Sequence, residues 1–126
     1  MNRSPSPRIV EQRIRNRLIE CLESFACASD SRCDLNELIN QWADWVQDDS
    51  IHSAFPQPTY TVDEAASLRV VHIRMALFCE VTPHCMIDTA EEMKRPEWLS
   101  LRIAAEVALQ GLALRGRLPE DVEAIS

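Results

Sequence analysis

Hydrophobic residues recur every three to four positions along most of the chain, which is the spacing of one face of an α-helix. In the first such segment the repeating residues are Val10, Ile14, Leu18, Leu22 and Phe25. In the second they are Leu35, Leu38, Ile39, Trp42, Trp45 and Val46. Two later segments are apolar on nearly every face, which is typical of the central helices of a bundle.

Capping residues and prolines predict where these helices begin and end. Ser6 and Pro7 predict the start of the first helix and leave residues 1–5 as a disordered tail. A break at Ser29–Arg32 separates it from a second helix, which begins at Asp34, with Glu37 as a capping-box partner, and ends at Asp48 and Asp49. The third helix begins at the Thr61–Glu64 capping box and runs to about Thr82. The last helix begins at Pro96 and ends at Gly116.

Two further segments connect the main helices. Residues 49–60 contain Pro56 and Pro58 and predict an extended connection that packs through its aromatic residues. Thr89 and Glu92 predict one short helical turn. We therefore predict an all-α fold, a compact bundle of four main helices with one or two short extra helical turns.

Length and composition support a single domain over residues 6–126. The chain has 126 residues, 46% of them hydrophobic, and a second domain would be too small to fold alone. Only two residues are glycine, which disfavours phosphate-binding loops and turn-rich β folds. No segment approaches the roughly 18 uninterrupted apolar residues of a membrane span, and no secretory signal is visible, so we expect a soluble, cytoplasmic protein.

The sequence lacks a recognisable catalytic or metal-binding motif. The five cysteines include no CxxC pair, so we expect small buried side chains rather than disulfides. Cys79, His84 and Cys85 lie close together in sequence, as do Cys27 and Cys33, but their spacing differs from that of zinc knuckles. We expect no enzyme activity, no cofactor and no metal.

Charge is segregated along the chain, although its total is only -7. Residues 1–20 carry a net charge of +3, largely from the arginines of the first helix, and the remaining residues carry -10. Arg13 and Arg17 share one helix face while Arg15 lies well round from them, so the basic face is thin. We expect it to form ion pairs with acidic residues rather than to bind nucleic acid directly.

The segment from Asp30 to Glu64 contains eight acidic residues against the single base Arg32. Acidic side chains bordered by aromatic residues suit the capture of a basic protein, because charges steer the encounter and aromatic side chains supply affinity. The alternative is an ordinary solvated helix face with both tryptophans in the core. The residues predicted to bind a partner are Glu37, Asp44, Trp45, Asp48, Asp49, Phe55 and Tyr60.

Several sequence blocks resemble a group of small helical bacterial proteins, the immunity proteins of polymorphic and contact-dependent growth inhibition toxin systems. These blocks are IVEQRIRNRLIECLE, ELINQWADWV, FPQPTYT, RPEWLSL and GRLPED. The resemblance implies tight, stoichiometric binding to a cognate toxin domain, often a basic nuclease, in the cytoplasm of the producing cell. It implies no catalytic residues.

Three hypotheses follow. The first is an immunity protein that neutralises a toxin domain through its acidic surface, by blocking the active site or a neighbouring exosite. The second is a helical adaptor or regulatory protein, with a homodimer through its third and last helices as one form of it. The third is a nucleic-acid binder that uses the arginines of the first helix.

Overall fold

The structure, a computed structural model, describes residues 5–27, 34–83, 86 and 88–124. These residues form five α-helices and one 3-10 helix, and they include no β-strand. The α-helices are α1 (Pro7–Cys27), α2 (Leu35–Trp45), α3 (Val62–Val81), α4 (Thr89–Glu92) and α5 (Pro96–Ala113), and the 3-10 helix is Asp48–Ser53. The prediction of an all-α bundle with four main helices and short extra turns is confirmed.

The helix starts follow the predicted caps. Ser6 Oγ accepts a hydrogen bond from the Ile9 amide at 3.2 Å, and Asp34 accepts one from the Glu37 amide at 3.3 Å. Thr61 and Glu64 form the full capping box, in which each side chain accepts a hydrogen bond from the other residue's backbone N–H. Most of the predicted tail and the predicted break at 29–32 lie outside the described residues.

The antiparallel helices α3 and α5 form the most extensive pair of the bundle. Helix α1 packs along α5, and α2 packs on α1 and on one edge of α3. An aromatic cluster joins three of these helices, with ring centroids 6.0 Å apart for Phe25–Trp98 and 5.5 Å apart for Phe78–Trp98. Among the described residues, no helix is both long enough and apolar enough to cross a membrane.

The predictions for the segment after α2 were wrong in two respects. Helix α2 ends at Trp45 rather than at Asp48 and Asp49, because Val46 adopts an extended backbone and buries its side chain in the core. The first half of the predicted extended connection is instead the 3-10 helix Asp48–Ser53. The acidic residues at 48 and 49 therefore follow α2 and are not part of it.

The prediction that α3 and α5 are the central pair is only partly correct. Each buries one face, but their apolar character continues onto a face that neither α1 nor α2 covers. Three of the most exposed side chains there are Ile73, Leu99 and Val107. The two other long helices that the structure describes, α1 and α2, are too few to surround α3 and α5 on all sides.

Residues 116–124 run along α1 and are held by two buried polar side chains that the sequence did not mark. Gln12 donates to the carbonyls of Pro119 and Val122 at 2.7 and 2.8 Å and accepts from the Ala124 amide at 2.8 Å. Asn16 donates to the Leu118 carbonyl and accepts from the Leu118 amide. The two amide side chains thus provide hydrogen-bond partners for backbone groups of residues 118–124, which form no helix that would pair them.

The two glycines are expected to respond to alanine in opposite directions. Gly111 lies inside α5, and a Cβ there would contact nothing within 4 Å, so Gly111→Ala should stabilise the protein by about 0.5–1 kcal/mol. Gly116 has a φ of +70°, so Gly116→Ala should destabilise it by about 1 kcal/mol. Urea unfolding of both variants measures the two shifts; a shift of the same sign in both would contradict this account.

Candidate partner-binding surface

The outer face of α2 is a negatively charged surface with one exposed tryptophan at its border. Glu37, Gln41 and Asp44 lie on the face opposite the buried Leu35 and Trp42. Trp45 follows Trp42 by three residues and lies at the border between the two faces. Trp45 is 42% exposed, although tryptophan, a large apolar residue, is normally highly buried. We call these four residues, together with the exposed Asp49 that follows, the α2 surface.

The carboxylates of the α2 surface have no basic partner within the part of the chain that the structure describes. The chain contains no Lys or Arg between Arg32 and Arg69. Glu37 accepts a hydrogen bond from Gln41 at 3.3 Å, but neither Glu37, Asp44 nor Asp49 forms an ion pair with any residue that the structure describes. Their charge is therefore available to a partner.

The negative potential of the α2 surface extends to α1. Burial, together with the charges of Glu20 and Asp44, raises the pKa of the Cys21 thiol to about 11. Cys21 is thus a buried, protonated thiol in the core beneath the surface. Cys27 and Cys79 are exposed, so the expectation of buried cysteines holds for Cys21 and was wrong for those two.

Phe55 and Tyr60, predicted as binding anchors, lie in the core instead. They are 5% and 1% exposed, and their rings meet edge to face with centroids 5.4 Å apart. The two aromatic residues of this short connection pack against each other, and the burial of their rings stabilises the segment between them. In this structure neither ring is accessible to a partner, and Trp45 is the aromatic residue that remains on the surface.

The remaining predicted residue, Asp48, begins the 3-10 helix, and its side chain lies outside the described part of the structure. Asp49 is exposed. The structure therefore places Glu37 and Asp44 on the outer face of α2 and the half-exposed Trp45 at the border of that face.

Glu64 belongs to the acidic segment from Asp30 to Glu64 in the sequence, but it forms a buried ion-pair cluster with Arg15 and Arg115. Its oxygens lie 3.1 and 3.2 Å from the two terminal nitrogens of Arg15, and 2.6 Å from Nη2 of Arg115. Arg15 is fully buried and also donates to the carbonyls of Leu112 and Gly116. The cluster joins α1, the start of α3 and the end of α5, so Glu64 contributes nothing to the surface.

Ionisation of this cluster is maintained by its hydrogen bonds. Burial by itself would raise the pKa of Glu64, but the hydrogen bonds from Arg115 and from the Thr61 backbone and the charge of Arg15 together lower it. Burial and the charge of Arg115 lower the pKa of Arg15, although the charge and hydrogen bond of Glu64 oppose this shift. A guanidinium nonetheless stays charged throughout the pH range in which proteins fold, so the pair is ionic.

The arginines of α1 are engaged within the protein. Arg13 donates to the Glu120 carbonyl at 2.8 Å, and Arg17 pairs with the Glu120 carboxylate at 2.6 Å. Arg8 donates to the Ala124 carbonyl, and Arg15 is buried with Glu64. The prediction that these arginines pair with acidic residues thus holds for Arg15 and Arg17, whereas Arg8 and Arg13 bind backbone carbonyls of the C-terminal segment.

The sequence groups two sets of possible metal ligands, Cys27 with Cys33 and Cys79 with His84 and Cys85. Cys33, His84 and Cys85 lie outside the described residues. Within the described residues, no group of three or more His, Cys, Asp or Glu side chains is arranged to hold a metal ion.

The fold and the exposed surface together define a small all-α protein with a negatively charged helix face. Comparison of the chain with models of protein families, with characterised proteins and with solved structures gives no match in any of the three.

Proposed function

We propose that this protein binds and neutralises a cognate toxin domain, basic in character, through the α2 surface. The observation that carries the proposal is the half-exposed Trp45 at the border of a helix face whose carboxylates pair with no described basic residue. Exposed tryptophans act as binding anchors, and unpaired carboxylates accelerate encounter with a cationic protein. The sequence resemblance to immunity proteins supports the same role.

A growth assay tests this function. We expect the gene immediately upstream to encode a large secreted protein whose C-terminal domain arrests growth when it is produced in a bacterial host. Co-production of the present protein should restore growth, and the two purified chains should form a stable complex. Continued growth arrest with both chains present and folded would contradict the proposal.

Charge reversal on the α2 surface is expected to abolish tight binding. Glu37→Lys combined with Asp44→Lys should weaken the complex by about 100-fold or more, because it replaces two attractive charges with repulsive ones. Titration calorimetry measures the affinity, and circular dichroism should show unchanged helix content, since both residues are exposed. The loss should shrink as salt is added, because screening weakens interactions between exposed charges.

A matched control separates local from overall charge. Asp121→Lys with Glu123→Lys makes the same change in net charge on the C-terminal segment, where both residues are exposed. This pair should alter the affinity by no more than about threefold at physiological salt. Equal weakening by both double variants would show that net charge, and not the α2 surface, governs binding.

A helical adaptor or regulatory protein is the second candidate function. It is favoured by a different observation, the uncovered apolar face of α3 and α5. An adaptor would use that face to hold another protein, whereas an immunity protein requires only the α2 surface.

A further inference from the structure

Helices α3 and α5 share one exposed apolar face. Seven aliphatic side chains lie on it, each between 39% and 57% exposed. Those on α3 are Val70, Ile73, Leu77 and Val81, and those on α5 are Leu99, Ile103 and Val107. Scattered apolar residues are common on protein surfaces, but a contiguous set on two neighbouring helices marks an interaction surface.

The face contains a continuous groove along the line where α3 and α5 meet. Two adjoining hollows of about 320 and 290 Å³ share Arg74 and Ser100 as lining residues. Small side chains, Ser67, Ser100 and Ala104, lie between the aliphatic residues of the two helices. Small residues between larger ones allow the ridge of another helix to approach closely.

The exposed area is of the size that a modest homodimer buries. A half-exposed aliphatic side chain leaves on the order of 80 Å² in water, so the seven together leave roughly 550 Å². Adding the polar groove residues brings the face near the roughly 800 Å² per partner of a standard interface. The largest apolar patch on a typical monomer is about 300–600 Å², so this face lies at the upper end.

Charge complementarity favours a second copy of the chain as the occupant. Arg74 lies in the middle of the groove and makes no hydrogen bond or ion pair with any described residue. Glu97 and Glu80 line the adjoining hollow and likewise have no ion-pair partner among the described residues. The face therefore carries one cation and two carboxylates that are not used within the protomer.

A two-fold axis parallel to the helices would bring these opposite charges of the two copies together. Rotation about such an axis keeps every residue at its level along the bundle, so α3 of one copy stacks on α5 of the other at the same level. Arg74 then lies beside Glu97 of the second copy, and Val70 faces Ile103 and Val107. Both copies make the same contacts, as a closed symmetric interface requires.

We propose that the α3–α5 face is the interface of a two-fold homodimer, in which Arg74 of each protomer pairs with Glu97 of the other. This inference is independent of the proposed function. The edge of α3 that contacts α2, at His72, Ala76 and Cys79, lies on the side of the helix away from Val70 and Leu77. The α2 surface thus remains exposed in the dimer, which would hold two partner molecules.

Light scattering coupled to size-exclusion chromatography tests the dimer at concentrations from about 1 to 100 µM. We expect twice the monomer mass at the upper end of this range. Ile103→Lys should raise the dimer dissociation constant by about 100-fold or more, because it places a charge in the apolar interface. Val122→Lys is the matched control, since Val122 is 60% exposed on the C-terminal segment and should leave the dimer unchanged.

A charge exchange tests the pairing itself. Arg74→Glu and Glu97→Arg should each weaken the dimer by about tenfold, and the double variant should restore it. Restoration supports the two-fold arrangement, and equal weakening by the double variant would overturn it. A monomer at every concentration would overturn the homodimer and assign the face to a helix of another protein. Dimer variants should still bind the toxin domain, so failure here is distinguishable from failure of the proposed function.

Discussion

Replacing Glu64 with alanine is expected to destabilise the protein by about 3–5 kcal/mol, a large part of the stability of a domain of this size. The substitution leaves the fully buried Arg15 guanidinium without its carboxylate partner. It also removes the capping box at the start of α3. Urea unfolding measures the loss, and a change below about 1 kcal/mol would contradict the role of this cluster.

A double variant distinguishes an unpaired charge from lost packing. Arg15→Met with Glu64→Leu removes both buried charges and keeps side chains of similar length, which in other proteins is neutral or stabilising. Arg115 is 31% exposed and can turn toward water. We expect the double variant to be more stable than Glu64→Ala by at least 2 kcal/mol or so. Equal stability of the two would show that the ion pair itself is favourable.

The same cluster should make stability depend on pH in the acid range. The folded protein holds the pKa of Glu64 below its ordinary value of 4.5, so the folded state binds this proton less readily than the unfolded state. The stabilisation is therefore present above about pH 4.5 and is lost as the pH falls through the folded pKa. The difference in unfolding free energy between the wild type and Glu64→Gln should shrink from pH 6 to pH 3.

Trp42→Ala is expected to cost about 3–5 kcal/mol, because it leaves a cavity between α2 and α3. Trp42 is 1% exposed, its indole N–H donates to Nδ1 of His72 at 3.1 Å, and the two rings stack. Trp42→Phe fills much of the cavity and removes only the hydrogen bond, so it should cost about 1–2 kcal/mol. Thermal or urea unfolding of both variants gives the comparison.

Trp45→Ala is the matched control, three residues further along the same helix. Its side chain is half-exposed, so we expect a loss of less than about 1 kcal/mol in stability. The same substitution should weaken binding of the toxin domain by about tenfold or more, because Trp45 is the proposed anchor. A stability loss as large as that of Trp42→Ala would place Trp45 in the core.

The sequence was informative wherever the signal was local. Proline at the first turn, a hydroxyl or carboxylate at the cap and glycine beyond the end act on the backbone within a few residues. For this reason the starts of α1, α2, α3 and α5 and the position of Gly116 were predictable. The end of α2 was not, because burial of Val46 depends on neighbouring helices.

The candidate site was predictable only in part. Helical spacing places Glu37 and Asp44 on one outer face, but it does not show which of the two tryptophans is buried in the core. Trp42 and Trp45 belong to the same apolar stripe, and contact with His72 on α3 selects Trp42 for the interior. Phe55 and Tyr60 lie in an irregular segment without periodicity, so their burial left no pattern to recognise.

By itself, the sequence determined the all-α class, the helix starts and the acidic character of the segment around α2, because periodicity, capping and charge are properties of neighbouring residues. Only the tertiary structure decided which charges reach the surface. Glu64 is buried in an ion pair with Arg15, which is 49 residues away along the chain, whereas Asp44 remains exposed. Ion pairing and burial depend on distances between residues that are remote in sequence, and folding alone sets those distances.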